Sequence, residues 1–543
     1  MMLSPLRDNR ARQAVVKSET ISAPVEGWDA SSALAAMKPL RAIQLRNWFP
    51  QPGYLEVRRG YQQHARGLGT STTPVETLMA WNGPSTRKMF GAAAGVIYDC
   101  TSSGGATSAV TSLTEDRWQW VNMTTSAGAY LVIANGADSV RHYNGTTWAT
   151  PSITNVTSSE LIHVCVHKKR LWFVQLNSTK AWYLPTEAVA GAATAFELGS
   201  NFDQGGHLVA MTTWTLDGGS GSDDLAVFIS SKGQVAIYQG TDPASASTWA
   251  LVGVFNLAAP IGRRCFIKYG ISPLLITVSG VLQLSLSLKQ DKAQLDTVAI
   301  TGRILNAMNT AARSYKDNFG WELVVYPKGT RLILNIPTAE NETAVQYVMN
   351  TITGAWCDFD NHNANCWLVF NDNLYFGDNR GRVYLADNTC ADIDTAIIAT
   401  GQTAYRALFT AGNLKRISML QPLMTVDGSA RPSVGVSVDF SETSELSTPS
   451  GASAAASTWD DHETQWDEDV WGGQSSFVSD WTSTPALGRF SSVKFQANTG
   501  TNADVSSWGS AIWAQDGWGS TGTSDETMRV NGFVVLAEVG GHI

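Results

Sequence analysis

The run WLVFNDNLYFGDNRGRVYLAD, from Trp367 to Asp387, reads as three short β-prone segments divided by two turns. Trp367 to Phe370 meets Asn371-Asp372-Asn373, Leu374 to Phe376 meets Gly377 to Gly381, and Val383 to Leu385 closes the unit. Asn, Asp and Gly tolerate the positive φ of tight hairpin turns, so the pattern predicts a meander. A lone meander leaves both faces uncovered and needs neighbours of its own kind.

Working outward, looser copies recur. Hairpins are expected at Arg87–Asp99, Tyr130–Tyr143, Arg170–Tyr183, Leu225–Tyr238, Leu274–Leu284 and Trp321–Ile336, with turns at Lys232-Gly233, Ser279-Gly280 and Lys328-Gly329. Their starts, with Trp367, differ by 43, 40, 55, 49, 47 and 46 residues. Propeller blades repeat at roughly 40 to 50 residues, and the spacing predicts a β-propeller rather than a sandwich of ordinary hairpins. The count is six or seven degenerate blades, depending on where the first hairpin belongs.

The composition agrees with an all-β chain. Of 543 residues only 16% are charged, while Gly (48) and Trp (20) are abundant. The usual charged share is about 25%. A net charge of −9 argues against a surface that grips phosphates along a nucleic acid, which needs a basic stripe. It remains compatible with a channel past which DNA slides without sticking. Six scattered cysteines with no CxxC pair read as small buried hydrophobes of a reducing compartment. Cys357, His362 and Cys366 lie close in sequence, at a spacing that matches no common zinc pattern. No secretory leader or membrane span is expected, since charges interrupt Met1 to Lys17 and no apolar run reaches 18 residues.

Three regions are expected. Residues 1–60 form an N-terminal arm and a first platform segment, with a short helix at Ala30–Met37 and a half-exposed strand at Leu55–Arg58. Residues 61–400 form the propeller, interrupted by an amphipathic helix at Ile304–Tyr315. Residues 401–543 form a second β-rich region, with strands at Val434–Phe440, Ser491–Gln496 and Met528–Glu538 and with Trp-rich loops. Trp466, Trp471, Trp513 and Trp518 are candidate contact aromatics if exposed, and plain core if buried.

No motif assembles a catalytic centre. GxSxG, HExxH and GxxxxGK[ST] are absent, and no cofactor is called for. His163 and His167 share a strand face and read as packing residues rather than metal ligands. The acidic run Asp460, Asp461, Glu463, Asp467, Glu468, Asp469 lacks the order of a calcium loop and reads as a solvated segment. Gly145-Thr146-Thr147-Trp148 matches the end of a sialidase Asp-box turn, but Arg141 and Tyr143 stand where its Ser and Asp belong. A propeller that binds or cleaves glycans on a host surface is therefore the alternative reading.

Three stretches, in order, carry a family resemblance: NWFPQPGYLEVRRG (Asn47 to Gly60), GWELVVYPKGTRLILNIP (Gly320 to Pro337), and YVMNTITGAWCDFD (Tyr347 to Asp360) running on into LYFGDNRGRVYLAD. The chain resembles the tail nozzle proteins of short-tailed phages, the tail tubular protein B group and the related packaged-DNA stabilisation proteins. That resemblance implies a propeller joined to a β-rich platform built partly from both chain ends. It implies a homohexameric ring at the distal end of the virion tail, made in the host cytoplasm and without enzymatic activity. Its partners would be the adaptor ring beneath the portal, tail fibres or a tail plug, and double-stranded DNA passing without sequence-specific binding. Asp217, Asp223 and Asp224, in the acidic loop DGGSGSDD, are candidates to line or gate the lumen.

Overall fold

The computed structural model describes residues 15–217, 222–427, 431–441, 445–449, 475–499 and 528–539. It divides into two units, Arg58–Thr395 and a second made of Met1–Val57 with Ala396–Ile543.

The larger unit is a β-propeller. Five blades are four-stranded antiparallel meanders, each drawn from one continuous segment. Their innermost strands are Thr77–Asn82, Gln119–Thr125, Leu161–His167, Leu208–Asp217 and Glu322–Tyr326. The expected six or seven similar blades are thus corrected to five. The hairpin at Leu274–Leu284 belongs to a sheet of only three strands (Phe266–Tyr269, Ser272–Thr277, Gly280–Gln283), after which the chain turns helical. The Trp367 unit supplies three strands of a composite sheet (Cys366–Phe370, Asn373–Gly377, Arg382–Thr389). Its fourth strand is Gly60–Arg66, from the start of the unit, paired antiparallel with Arg382–Thr389.

The turn chemistry explains the hairpins. Asn371 and Asp372 both have positive φ (49° and 60°) between the paired Phe370 and Asn373, a two-residue turn whose twist suits antiparallel strands. The central strands bury most completely. Ser272–Thr277 is buried throughout, because each sheet is covered by the next. One cluster joins Met79 and Phe90 of the first blade to Leu131 and Tyr143 of the second. Another joins Cys366, Leu368 and Tyr375 of the composite sheet to Leu78 and Met89 of the first blade, so the last sheet packs back on the first. All six cysteines are buried. The predicted helix forms at Leu305–Tyr315 and buries Met308, Ala311 and Ala312.

The smaller unit holds two antiparallel sheets. One pairs Met528–Val539 with Lys415–Asp427, with Val15–Ser22 and with Tyr54–Val57. The other runs Ala42–Arg46, Ile398–Thr403, Ser491–Asn498, Arg431–Val438. Phe495 lies between Trp48 (5.5 Å) and Phe533 (5.2 Å) in its core. The expected arm becomes a strand from Val15. The expected helix at Ala30–Met37 does not form. Asp29 Oδ1 instead accepts the amides of Ser31 and Ser32, and only one turn follows, since so short a segment cannot sustain a helix alone. Among the described residues no helix is long and apolar enough to cross a membrane.

Candidate functional site: an arginine-lined cavity in the propeller

Three loops that lead into inner strands converge on one cavity of about 260 Å³. They are the segment before Gln119, the segment before Phe266, and the link from the helix to Glu322. Its charged wall is Arg117, Arg263, Arg264 and Lys316 against Glu115 and Asp317.

Arg117 is held twice. Its Nη2 donates to Glu76 (3.0 Å) and to Glu340 (2.7 Å), and its guanidinium lies 4.3 Å over the Phe319 ring. Arg264 reaches across to the first two blades. Its Nη2 donates to the Glu76 carbonyl (2.9 Å), Thr77 Oγ1 (2.7 Å) and the Trp118 carbonyl (3.3 Å). Its Nη1 stands 3.6 Å from Glu322, beyond hydrogen-bonding reach, and the group also sits over Phe319 at 5.0 Å. Burial holds the Glu322 carboxyl above its usual range. Arg263 donates from Nη1 to the Asn135 carbonyl (2.9 Å). Burial lowers its guanidinium, and Arg117 adds to that against the pull of Glu115.

Next to this network, Thr77 Oγ1 donates to the Asp116 carbonyl (2.6 Å) and accepts the Trp118 amide (3.0 Å). The Asp116 carboxylate accepts the Gly95 amide and is pushed up to about 6, by burial first and then by Glu76, Glu115 and Asp138. Sequence reading passed over these arginines. The signals present were the adjacent Arg263-Arg264 and the isolated Asp116-Arg117, charges in a chain with few of them. Only the ring brings segments about 140 residues apart together.

Elsewhere, the predicted residues separate. Asp217, Asp223 and Asp224 extend a long hairpin, with Thr215 facing Asp224 and Asp217 facing Ser222. Asp224 accepts the Thr215 hydroxyl (2.7 Å) and lies 3.6 Å from Lys168. The side chains of Asp217 and Asp223, like residues 218–221, lie outside the described residues. So do Trp466, Trp471, Trp513 and Trp518, and the acidic run 460–469. His163 and His167 are buried between blades, bonded to the Met211 carbonyl and Thr213 Oγ1. His362 is enclosed by Tyr61, Trp367 and Phe376. Among the described residues no group of His, Cys, Asp or Glu could hold a metal ion. The Asp-box fragment forms a local turn in which Asn144 Oδ1 accepts the amides of Thr146 and Thr147.

No family model and no curated protein matches this chain. Solved structures do. A BBS1N chain crystallised with ARL6DN is 10% identical with a TM-score of 0.39, covering 62% of this chain and 99% of its own. The computationally designed Ika8 protein is 11% identical with a TM-score of 0.34, over 60% and 99%. An exo-beta-1,3-galactanase from Phanerochaete chrysosporium is 10% identical with a TM-score of 0.24, over 77% and 95%. Likeness at this level says nothing of activity.

Proposed function

We propose that this chain is a structural nozzle protein of a short phage tail, a ring-forming conduit and gate for genome retention and ejection. The observation that carries the reading is the ordered set of three stretches resembling that family, from Asn47 to Asp387. Support comes from how fully the first stretch is used. Asn47 has φ 58° and donates to the Ile398 carbonyl, Trp48 and Phe49 are core, and Gly53 (φ 96°) closes the hairpin after Pro52. Arg58 forms a buried bidentate pair with Asp392 (2.8 and 2.6 Å).

In this reading the unit made from the two chain ends is the platform. The conduit in this reading lies on the axis of a homohexamer. Six copies carry 6 × −9 = −54 formal charges, which favours sliding over sticking. The adaptor ring and the fibres or plug are the expected partners.

A second reading, a glycan-binding or glycan-cleaving propeller, is favoured by one groove. It is lined by Lys88, Phe90, Asp99, Arg141, Tyr143 and Trp148, with the Phe90 and Trp148 rings 5.1 Å apart. Immunogold electron microscopy of phage particles from the source lysate separates the two. Label at the distal end of a short tail is expected. Unlabelled particles, with the chain only in the soluble fraction, would overturn the nozzle reading and favour the glycan one.

A further inference from the structure

Not every cation on the wall of the arginine-lined cavity is neutralised from within the protein. Arg117 is taken up by Glu76 and Glu340, and Arg264 by carbonyls and the nearby Glu322. Arg263 has five N–H donors and uses one, on the Asn135 carbonyl. No carboxylate lies within 4.0 Å of it among the described residues. Lys316, exposed at the rim, likewise has no ion-pair partner there.

The seat of Arg263 is built. Asn135 Nδ2 donates to the Glu115 carbonyl (2.9 Å), which ties the two loops that flank the guanidinium. Gly136 follows with φ 84°, and a Cβ there would run into Ile162 and come within 3.6 Å of Arg263 Nη1. The backbone therefore passes close to the guanidinium. The guanidinium is half-buried and keeps donors without a protein acceptor. Facing a cavity, it is ready for one. Arg117 and Arg264 are answered by Glu76, Glu115, Glu340 and Glu322, which leaves Arg263 and Lys316 as the wall cations without an ion-pair partner among the described residues. Drug-sized ligands occupy pockets of about 300 Å³ and more, so 260 Å³ suits something smaller.

We propose that this cavity binds a small oxyanion, a compound of monosaccharide size or less whose carboxylate or phosphoryl group is held by Arg263. The assignment stands apart from the nozzle reading and holds whether or not the chain forms a tail ring. The other donors of Arg263 bond the anion, Lys316 adds attraction from the rim, and the paired Arg117 and Arg264 shape the wall.

Calorimetric titration of the full chain with glucuronate, phosphorylated glucose and glucose tests it, since the three share a ring and differ in charge. Saturable binding of a charged sugar, with glucose at least about ten-fold weaker, is expected, because a charge-assisted hydrogen bond is worth that much. The tighter of the two charged sugars identifies the group recognised. Arg263→Gln keeps a donor for Asn135 and should weaken binding by about ten-fold or more. Lys316→Gln, at an exposed site that cannot threaten the fold, should weaken it less and flatten its salt dependence. Equal binding of all three sugars, no saturation below about 10 mM, or affinities unmoved by both substitutions would overturn the proposal.

Discussion

Arg58 and Asp392 show how much one pair can carry. Both side chains are almost wholly buried, at 0% and 3% exposed, and two short bonds join them. Asp392→Ala would strand the guanidinium in the interior and should cost about 3–5 kcal/mol, read as a lower urea midpoint. Two residues on, Gly60 leaves no room for a Cβ, which would collide with the Ala391 carbonyl. The Arg-Arg-Gly string was visible in the sequence, but its reason was not, because the partners lie more than 300 residues away. Titration gives a second expectation. His163 and His167 are lowered to about 4, chiefly by burial, and each ring keeps one buried nitrogen without a partner for a second proton. Their folded pKa lies below the unfolded 6.5, so the stability they contribute is full above 6.5 and is lost as pH falls toward 4. Asp116 works the other way. Raised from 3.8 to about 6, it favours the fold below 4 and loses that contribution as pH rises through 6. Asp116→Asn should therefore unfold at a higher temperature than the parent at pH 7, with the advantage gone at pH 4.

At the scale of elements, what could be read was local. Tight turns announce themselves in two or three residues, so every expected hairpin corresponds to paired strands, and the amphipathic helix forms within one residue of its expected start. What could not be read was non-local. Nothing near Gly60–Arg66 tells that this strand completes the sheet begun at Cys366, and nothing near Leu274 tells that its sheet stops at three strands. The arginine cavity escaped for the same reason. The composite sheet makes a direct prediction. A fragment spanning 58–395 should give a sharp, cooperative thermal transition by circular dichroism. One spanning 67–395, which lacks the closing strand, should give a broad transition at lower temperature or aggregate, since it exposes an unpaired edge.

For the whole molecule, charge sets the expectation. An acidic chain of −9 should fail to shift duplex DNA in a gel even at low salt, where nonspecific binding is strongest. Retention of DNA by the purified chain would contradict a sliding conduit. The closure by Gly60–Arg66 has a further consequence, for the chain as it leaves the ribosome. Arg66 pairs with Arg382, 316 residues later (382 − 66). At roughly 5–20 residues per second, that strand waits about 16–60 s for its neighbour. Val15 waits longer still for Val539. Newly made copies therefore pass through a long interval as open fans of sheets, the larger unit becoming whole only after Arg382–Thr389 has emerged and the smaller only after Met528–Val539.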